Sequence, residues 1–186
     1  MSVPRVYTVE GIILKRRNVG EADRILTVFT KQFGKIRVIA KGVRKISSKR
    51  GPHVEVFNHV VVTLYKGKGM DTLTDVSPIT SFEAIRSDLH RVGAAYYLCE
   101  LIDGLLPEGQ SHEDVFLLLV DAFGALSSVK HERIEILRAR FAAALLTKLG
   151  YMAPGKKFKD NEIDSYVEKL LEHRLKTVRL VSHFRI

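Results

Sequence analysis

The densest chemistry in this 186-residue chain is cationic. The stretch KIRVIAKGVRKISSKR, Lys35–Arg50, carries Lys35, Arg37, Lys41, Arg44, Lys45, Lys49 and Arg50 with no Asp or Glu among them. Seven positive side chains in sixteen residues repel one another unless an anion lies between them. The chemistry they suit is capture of a polyanion, with a merely solvated loop as the alternative. Further cations recur at Lys15, Arg16 and Arg17 and at Lys66 and Lys68. Bond-making chemistry, by contrast, lacks its residues. There is no GxxxxGK[ST], GxGxxG, HExxH or GxSxG pattern. The histidines at 53, 59, 90, 112, 131, 173 and 183 never fall four apart on a helix, so no metal ligation and no cofactor is expected. A single cysteine, Cys99, excludes an internal disulfide and a cysteine-cluster zinc site, and its place in an apolar stripe reads as a buried structural thiol. Gly20-Glu21-Ala22-Asp23, followed by Arg24, reads as a turn that Gly20 reverses and Asp23 caps, or in which Asp23 pairs with Arg24.

The elements that must position these cations follow from charge and periodicity. Residues 1–80 hold 15 Lys+Arg against 6 Asp+Glu, whereas residues 81–186 hold 15 of each, so the whole net charge of +9 belongs to the first part. Six carboxylates there, with no paired spacing for metal ions, speak against a nuclease. An apolar fraction of 46% with 27% charged residues is that of an ordinary soluble globular protein, and no apolar run approaches the roughly 20 residues that span a bilayer. The N-terminus shows no secretory h-region, and a cytoplasmic, nucleoid-associated location is expected.

Alternation predicts strands at Val6–Arg17 (with a bend at Gly11), Arg24–Thr30, Lys35–Ala40, Val54–Tyr65 and Met70–Val76, with Pro78 ending the β section. Five short strands in so few residues predict a closed barrel of the OB type over residues 1–79, an SH3-like barrel having a similar strand count. From residue 80 to 186 the period becomes helical. Helices are expected after Ser81 or Ser87 as N-caps, over His112–Ser127, over Glu132–Leu149 with Gly150 closing it, and over Glu162–Leu175 capped by Asp160 or Asn161, with an extended tail from Thr177 to Ile186. The fold class is thus an all-β OB-fold barrel followed by an all-α helical domain.

OB barrels bind oligonucleotides on the face of strands 2 and 3 and through the loops joining strands 1–2 and 4–5. On this assignment Lys35 and Arg37 lie on strand 3, Lys15, Arg16 and Arg17 run into the 1–2 loop, and Lys66 and Lys68 occupy the 4–5 loop. The 41–50 loop adds Lys41, Arg44, Lys45, Lys49 and Arg50. Phe33, Phe57 and Tyr65 are the candidate stacking platforms, with core packing the expected role of at least two of them. Many cations and few aromatics predict backbone tracking with strong salt dependence and little sequence preference.

The residues VEGIILKRRNVGEADRILTVFTKQFGKIRVIAKGVRK resemble the N-terminal signature of the RecO family of bacterial recombination mediators. The likeness continues through LYKGKGMDTLTDVSPITSF and SDLHRVGAAYYLCELIDGLLPEG and covers roughly residues 5–150. The resemblance implies an OB-fold domain that binds single- and double-stranded DNA, an α-helical domain, annealing of complementary strands and, with RecR, loading of RecA onto DNA coated by single-strand binding protein. It also implies that the helical domain binds the acidic, apolar C-terminal tail of that coating protein. Many members carry a four-cysteine zinc module after the LGY segment; here LGYMAPGKKFKDNEI runs through without a cysteine, so zinc is not expected. The ending SYVEKLLEHRLKTVRLVSHF still resembles the family's last helix and tail.

A tail ending in a bulky apolar residue needs an apolar notch with a cation at its rim. Phe116, Leu119, Phe123, Ile136, Leu137 and Phe141 are the candidates for the notch and Arg133, Arg138 and Arg140 for the rim, ordinary bundle core being the alternative. The competing function for the whole chain is a non-enzymatic adaptor whose basic barrel docks acidic protein segments.

Overall fold

A computed structural model describes residues 5–156, 158 and 162–178. The described chain forms two compact units, Met1–Phe82 together with Glu108–Phe116, and Glu83–Pro107 together with Leu117–Ile186. The first contains the strands β1 (Val6–Val19), β2 (Asp23–Thr30), β3 (Gly34–Ala40), β4 (His59–Tyr65) and β5 (Asp71–Thr80). They close into a barrel in the order β1-β2-β3-β5-β4, with β4 returning to β1. All pairs are antiparallel except β3–β5, where Val38 lies beside Asp71 and Ile39 beside Thr72. That order, with its one parallel contact, is the OB arrangement and distinguishes it from the SH3-like alternative. The interior is filled by side chains that alternate inward, among them Val9, Ile13, Leu26, Val28, Val38, Val60, Val62, Leu64 and Leu73.

Three local expectations change. Gly11 is not where β1 shifts its face: the register slips between Ile13 and Lys15, so Ile12, Ile13 and Leu14 are all buried. Gly11 is instead a point of close approach, since a Cβ there would lie 2.6 Å from Val28 Cγ1. The fourth strand begins at His59, not Val54; Gly51–Val54 is a 3₁₀ turn, and Phe57 takes φ 73° ahead of the strand. Val54 and Val56 fit the alternation because Val54 enters the core from that turn with Val56 packed against it. Pro78 does not end the β section, for it lies inside β5 opposite Val60, beside a register slip between His59 and Val60. A bulge tolerates a residue without an N–H donor.

In the second unit the helices are α1 (Glu83–Arg86), α2 (Leu89–Leu105), α3 (Glu113–Ser128, which begins in the first unit), α4 (Ile134–Lys148) and α5 (Glu162–Leu171). The cap of α2 is Asp88, not Ser81 or Ser87: its Oδ1 accepts from the Arg91 amide at 2.9 Å. Burial opposes ionisation of this carboxyl, but the Arg91 amide and the His131 ring, 2.5 Å away, outweigh it and hold the pKa below the usual value. Gly150, at φ +78°, follows α4 as expected of a C-terminal glycine. α5 ends at Leu171, earlier than the periodicity predicts, and residues 176–178 are helical, where an extended tail is expected. Asp160, Asn161 and the tail from 179 lie outside the described residues.

Arg138 is built into the packing of this unit. Its guanidinium is 4.1 Å from the Tyr97 ring centroid and 2.7 Å from Glu135 Oε2, and the Tyr97 hydroxyl donates to Asp164 Oδ1 at 2.6 Å. Burial, and then the Asp164 carboxylate, push the Tyr97 phenol well above its ordinary range, so it stays a neutral donor.

Candidate nucleic-acid interface

The run Lys35–Arg50 divides into cations that hold structure and cations that remain available. Lys35 is only 6% exposed. Residues 108–116 lie along this side of the barrel: the Gly109 amide donates to Lys35 O at 2.9 Å, and Ser111 Oγ donates to Lys31 O at 3.1 Å. Arg37 is exposed but paired with Glu108 at 2.8 Å, and Lys31 pairs with Glu113 at 3.3 Å. Phe116 packs its ring 5.9 Å from Phe29 and 5.8 Å from His59. Gly34 makes this approach possible, because a Cβ there would fall 1.8 Å from Gln110 O. The covering segment was not anticipated from sequence, and the complementary charges of Glu108 and Glu113 were its one available signal.

Beyond β3 the chain folds into a supported loop. The Lys45 amide donates to Gly42 O at 3.2 Å and the Ser48 amide to Lys45 O at 2.9 Å, giving two successive turns. Asp23 Oδ1 accepts from the Gly42 amide at 2.8 Å, and the Arg44 amide donates to Ala22 O at 3.0 Å. Asp23 therefore caps the basic loop rather than its own turn, while Arg24 bonds Asn18 and Glu55. Arg50 donates to Lys41 O, Leu73 O and Thr74 O at 3.0, 3.0 and 3.2 Å, and Arg44 to Gly20 O at 3.0 Å. These two arginines hold the loop's shape. Among the described residues the ammonium groups of Lys41, Lys45 and Lys49 make no ion pair. Ile46, fully exposed, forms the tip between them.

The strand register separates the remaining candidates. Lys15, Arg16 and Arg17 do not run into a loop; they are exposed residues of β1, which continues to Val19, opposite Thr27, Leu26 and Ile25. Arg16 shares Glu55 with Arg24, at 3.0 and 2.9 Å. These residues approach the end of the barrel where β3 finishes and the 41–50 loop begins. Lys66 and Lys68 belong to the opposite end, because β5 runs parallel to β3 and the β4–β5 turn precedes Asp71, the partner of Val38. The length of β3 puts the two ends about 20 Å apart.

The aromatics distribute differently from expectation. Only Phe57 is in the core; Phe33 and Tyr65 are 49% and 40% exposed, both at the Lys66 end. Phe33 packs edge-on to Tyr7 with centroids 5.6 Å apart. Burial and the Asp71 carboxylate, 2.5 Å away, push the Tyr7 phenol above its usual range.

In the helical unit a groove of about 760 Å³ opens between α3 and α4, lined by Leu118, Ala122, Ala125, Val129, Ile136, Leu137, Phe141 and Ala144 with Arg133, Arg140 and Asp121. Of the residues expected to form a tail notch, it gathers Arg133, Ile136, Leu137, Arg140 and Phe141. It does not gather Phe116, Leu119 and Phe123, which are fully buried, or Arg138, which the Tyr97 and Asp164 contacts hold in the core. The helical period identified apolar residues correctly but not which face of α3 points inward. Among the described residues no cluster of His, Cys, Asp and Glu could hold a metal ion, and no helix is long and apolar enough to cross a membrane.

A closed OB barrel with a braced basic loop, continued by a helical unit, defines the class: an OB-fold protein with an added helical domain. Family models described as "Recombination protein O N terminal" and "Recombination protein O C terminal" match residues 1–82 and 86–155. A DNA repair protein RecO of Roseiflexus sp. (strain RS-1) is 39% identical over 147 residues, covering 79% of this chain and 51% of that protein. Those of Symbiobacterium thermophilum and Dehalococcoides mccartyi are each 36% identical, covering 78% and 81% of this chain and 57% and 59% of theirs. The chain belongs to the RecO family. It spans about half the length of the curated relatives it matches.

Proposed function

We propose that this chain is a DNA-repair and recombination mediator without enzymatic activity, acting in the cytoplasm at the nucleoid. It binds single- and double-stranded DNA, anneals complementary strands and, with RecR, promotes RecA loading onto DNA coated by single-strand binding protein. The observation that carries the reading is the concentration of the net charge in residues 1–80, which supply all five barrel strands, with Lys41, Lys45 and Lys49 making no ion pair among the described residues of a braced loop. Charge of one sign on a fixed support neutralises phosphates without reading bases, which suits a protein that brings two strands together despite their repulsion. Lys35 drops out of the proposed contact set because it is buried. Arg17, Lys66, Lys68, Phe33 and Tyr65 extend the path to the two ends of the barrel. Annealing of complementary strands coated by single-strand binding protein should accelerate on adding the protein and slow steeply with salt. An annealing rate identical to that of the coated strands alone would sink the reading.

The groove between α3 and α4 is the proposed seat of the coating protein's acidic, apolar C-terminal tail, with Ile136, Leu137 and Phe141 as the apolar floor and Arg133 and Arg140 at the rim. Arg133→Glu and Arg140→Glu should each weaken binding of a tail peptide about tenfold at low salt. Unchanged titration curves for both variants would remove the groove from the reading.

A further inference from the structure

We infer that the loop after β3 is a receptor, with its backbone already in place, for a single backbone phosphodiester, in which the Ser48 hydroxyl is the hydrogen-bond donor and Lys41, Lys45 and Lys49 supply the charge. The inference rests on the DNA-binding reading and specifies one site within it. The loop encloses a concavity of about 600 Å³ lined by Lys41, Gly42, Lys45, Ser47, Ser48, Lys49 and Arg50, with Asp23 at its edge. Its walls do not depend on a ligand: the Gly42–Lys45 and Lys45–Ser48 turns and the three carbonyls held by Arg50 fix the backbone already.

Within this braced frame one polar atom has been left over. Ser48 Oγ is closed off from solvent and has no hydrogen-bond partner among the described residues. A hydroxyl shut away from water without a partner costs free energy that folding alone does not recover, and such groups call for an explanation. Ser48 lines the concavity, so a turn about its χ1 would bring the hydroxyl to a phosphate oxygen there and give it an acceptor. The same oxygens would relieve the repulsion among three ammonium groups that pair with no carboxylate among the described residues. Asp23 opposes an anion, but its Oδ1 is engaged by the Gly42 amide, and three cations outweigh it. Neutral donor and charges therefore have separable effects. The lysines set how many counterions are released, whereas Ser48 adds a contact without releasing any.

The test is fluorescence anisotropy of a dT oligomer lacking terminal phosphates, titrated across a salt series with the full chain and its variants. Ser48→Ala should bind about fivefold to tenfold more weakly with an unchanged salt slope. The free variant should melt no lower than the parent, since an unsatisfied hydroxyl has been removed. Inorganic phosphate should compete only weakly if the receptor is shaped for a strand, and competition as strong as that of the oligomer would overturn the phosphodiester assignment. Wild-type affinity in Ser48→Ala, or a lowered melting temperature, would overturn the receptor. If Ser48→Ala binds normally while Lys41→Glu/Lys45→Glu/Lys49→Glu does not, the receptor fails and the DNA contact survives; normal binding by both discards the two together.

Discussion

Gly34→Ala should destabilise the protein by about 3–4 kcal/mol, read as a shift of the urea midpoint at unchanged slope. Two costs combine there. Gly34 has φ +65°, a region in which a Cβ is strained by about 1 kcal/mol. The Cβ would also stand 1.8 Å from Gln110 O, so the 108–116 segment must leave its place. Leaving it would free the Gly109 amide from Lys35 O and open the Arg37–Glu108 pair. Gly20→Ala separates the two costs, since Gly20 has φ +56° with nothing within 4 Å of the added carbon. That variant should lose only about 1 kcal/mol. Equal losses at the two positions would mean that residues 108–116 do not press against Gly34 in solution.

The triple reversal Lys41→Glu/Lys45→Glu/Lys49→Glu should lower affinity for single-stranded DNA by about 100-fold or more at low salt, and the slope of log K against log salt should flatten by about 2 units, at about 0.7 per lost phosphate contact. The loss should be uniform across sequences, because phosphate contacts carry no base information. Folding should be little affected: none of the three ammonium groups makes an ion pair among the described residues, and Arg44 and Arg50 still brace the loop. Circular dichroism and melting of the triple variant check this. An affinity within threefold of the parent would show that the loop is merely solvated and return the barrel to the acidic-segment adaptor reading.

The barrel was legible because its signals are local. Alternation located β2 and β3 to within a residue, and the positions of Gly and Asn marked the turns. What alternation cannot carry is a contact made by distant chain. Lys35 reads as a surface cation on β3, yet it is buried because residues 108–116 cover it, and no pattern near residue 35 announces that. Pro78 reads as a strand terminator because proline lacks a donor; only the register with Val60 reveals the slip that admits it. Arg138 fails in the opposite sense. A cation flanked by apolar helix positions looks like a rim residue, but its partners, Tyr97 and Asp164, come from two other helices. Four of the five helices were foreseen, all but the one-turn α1, and better than their facing, since α3 and α4 are apolar on more than one side and the period alone does not say which stripe packs. The basic loop was found by charge, while its division into bracing arginines and available lysines depended on carbonyls far along the chain.

The segment 108–116 also imposes an order on biosynthesis. All five strands leave the ribosome before it does, with α1 and α2 translated in between. A nascent chain that has just completed β5 has a closed set of strands but no Phe116 against Phe29 and His59, and no Gly109 amide for Lys35 O. The usual expectation that an N-terminal domain finishes folding before its successor begins therefore does not hold here. Until residue 116 has been made, Phe29 and His59 lack the ring that packs against them in the finished unit. Slow codons or a pause between β5 and α3 would lengthen that interval, and a chaperone that shields these two side chains during it would be acting where the sequence order leaves the fold unfinished.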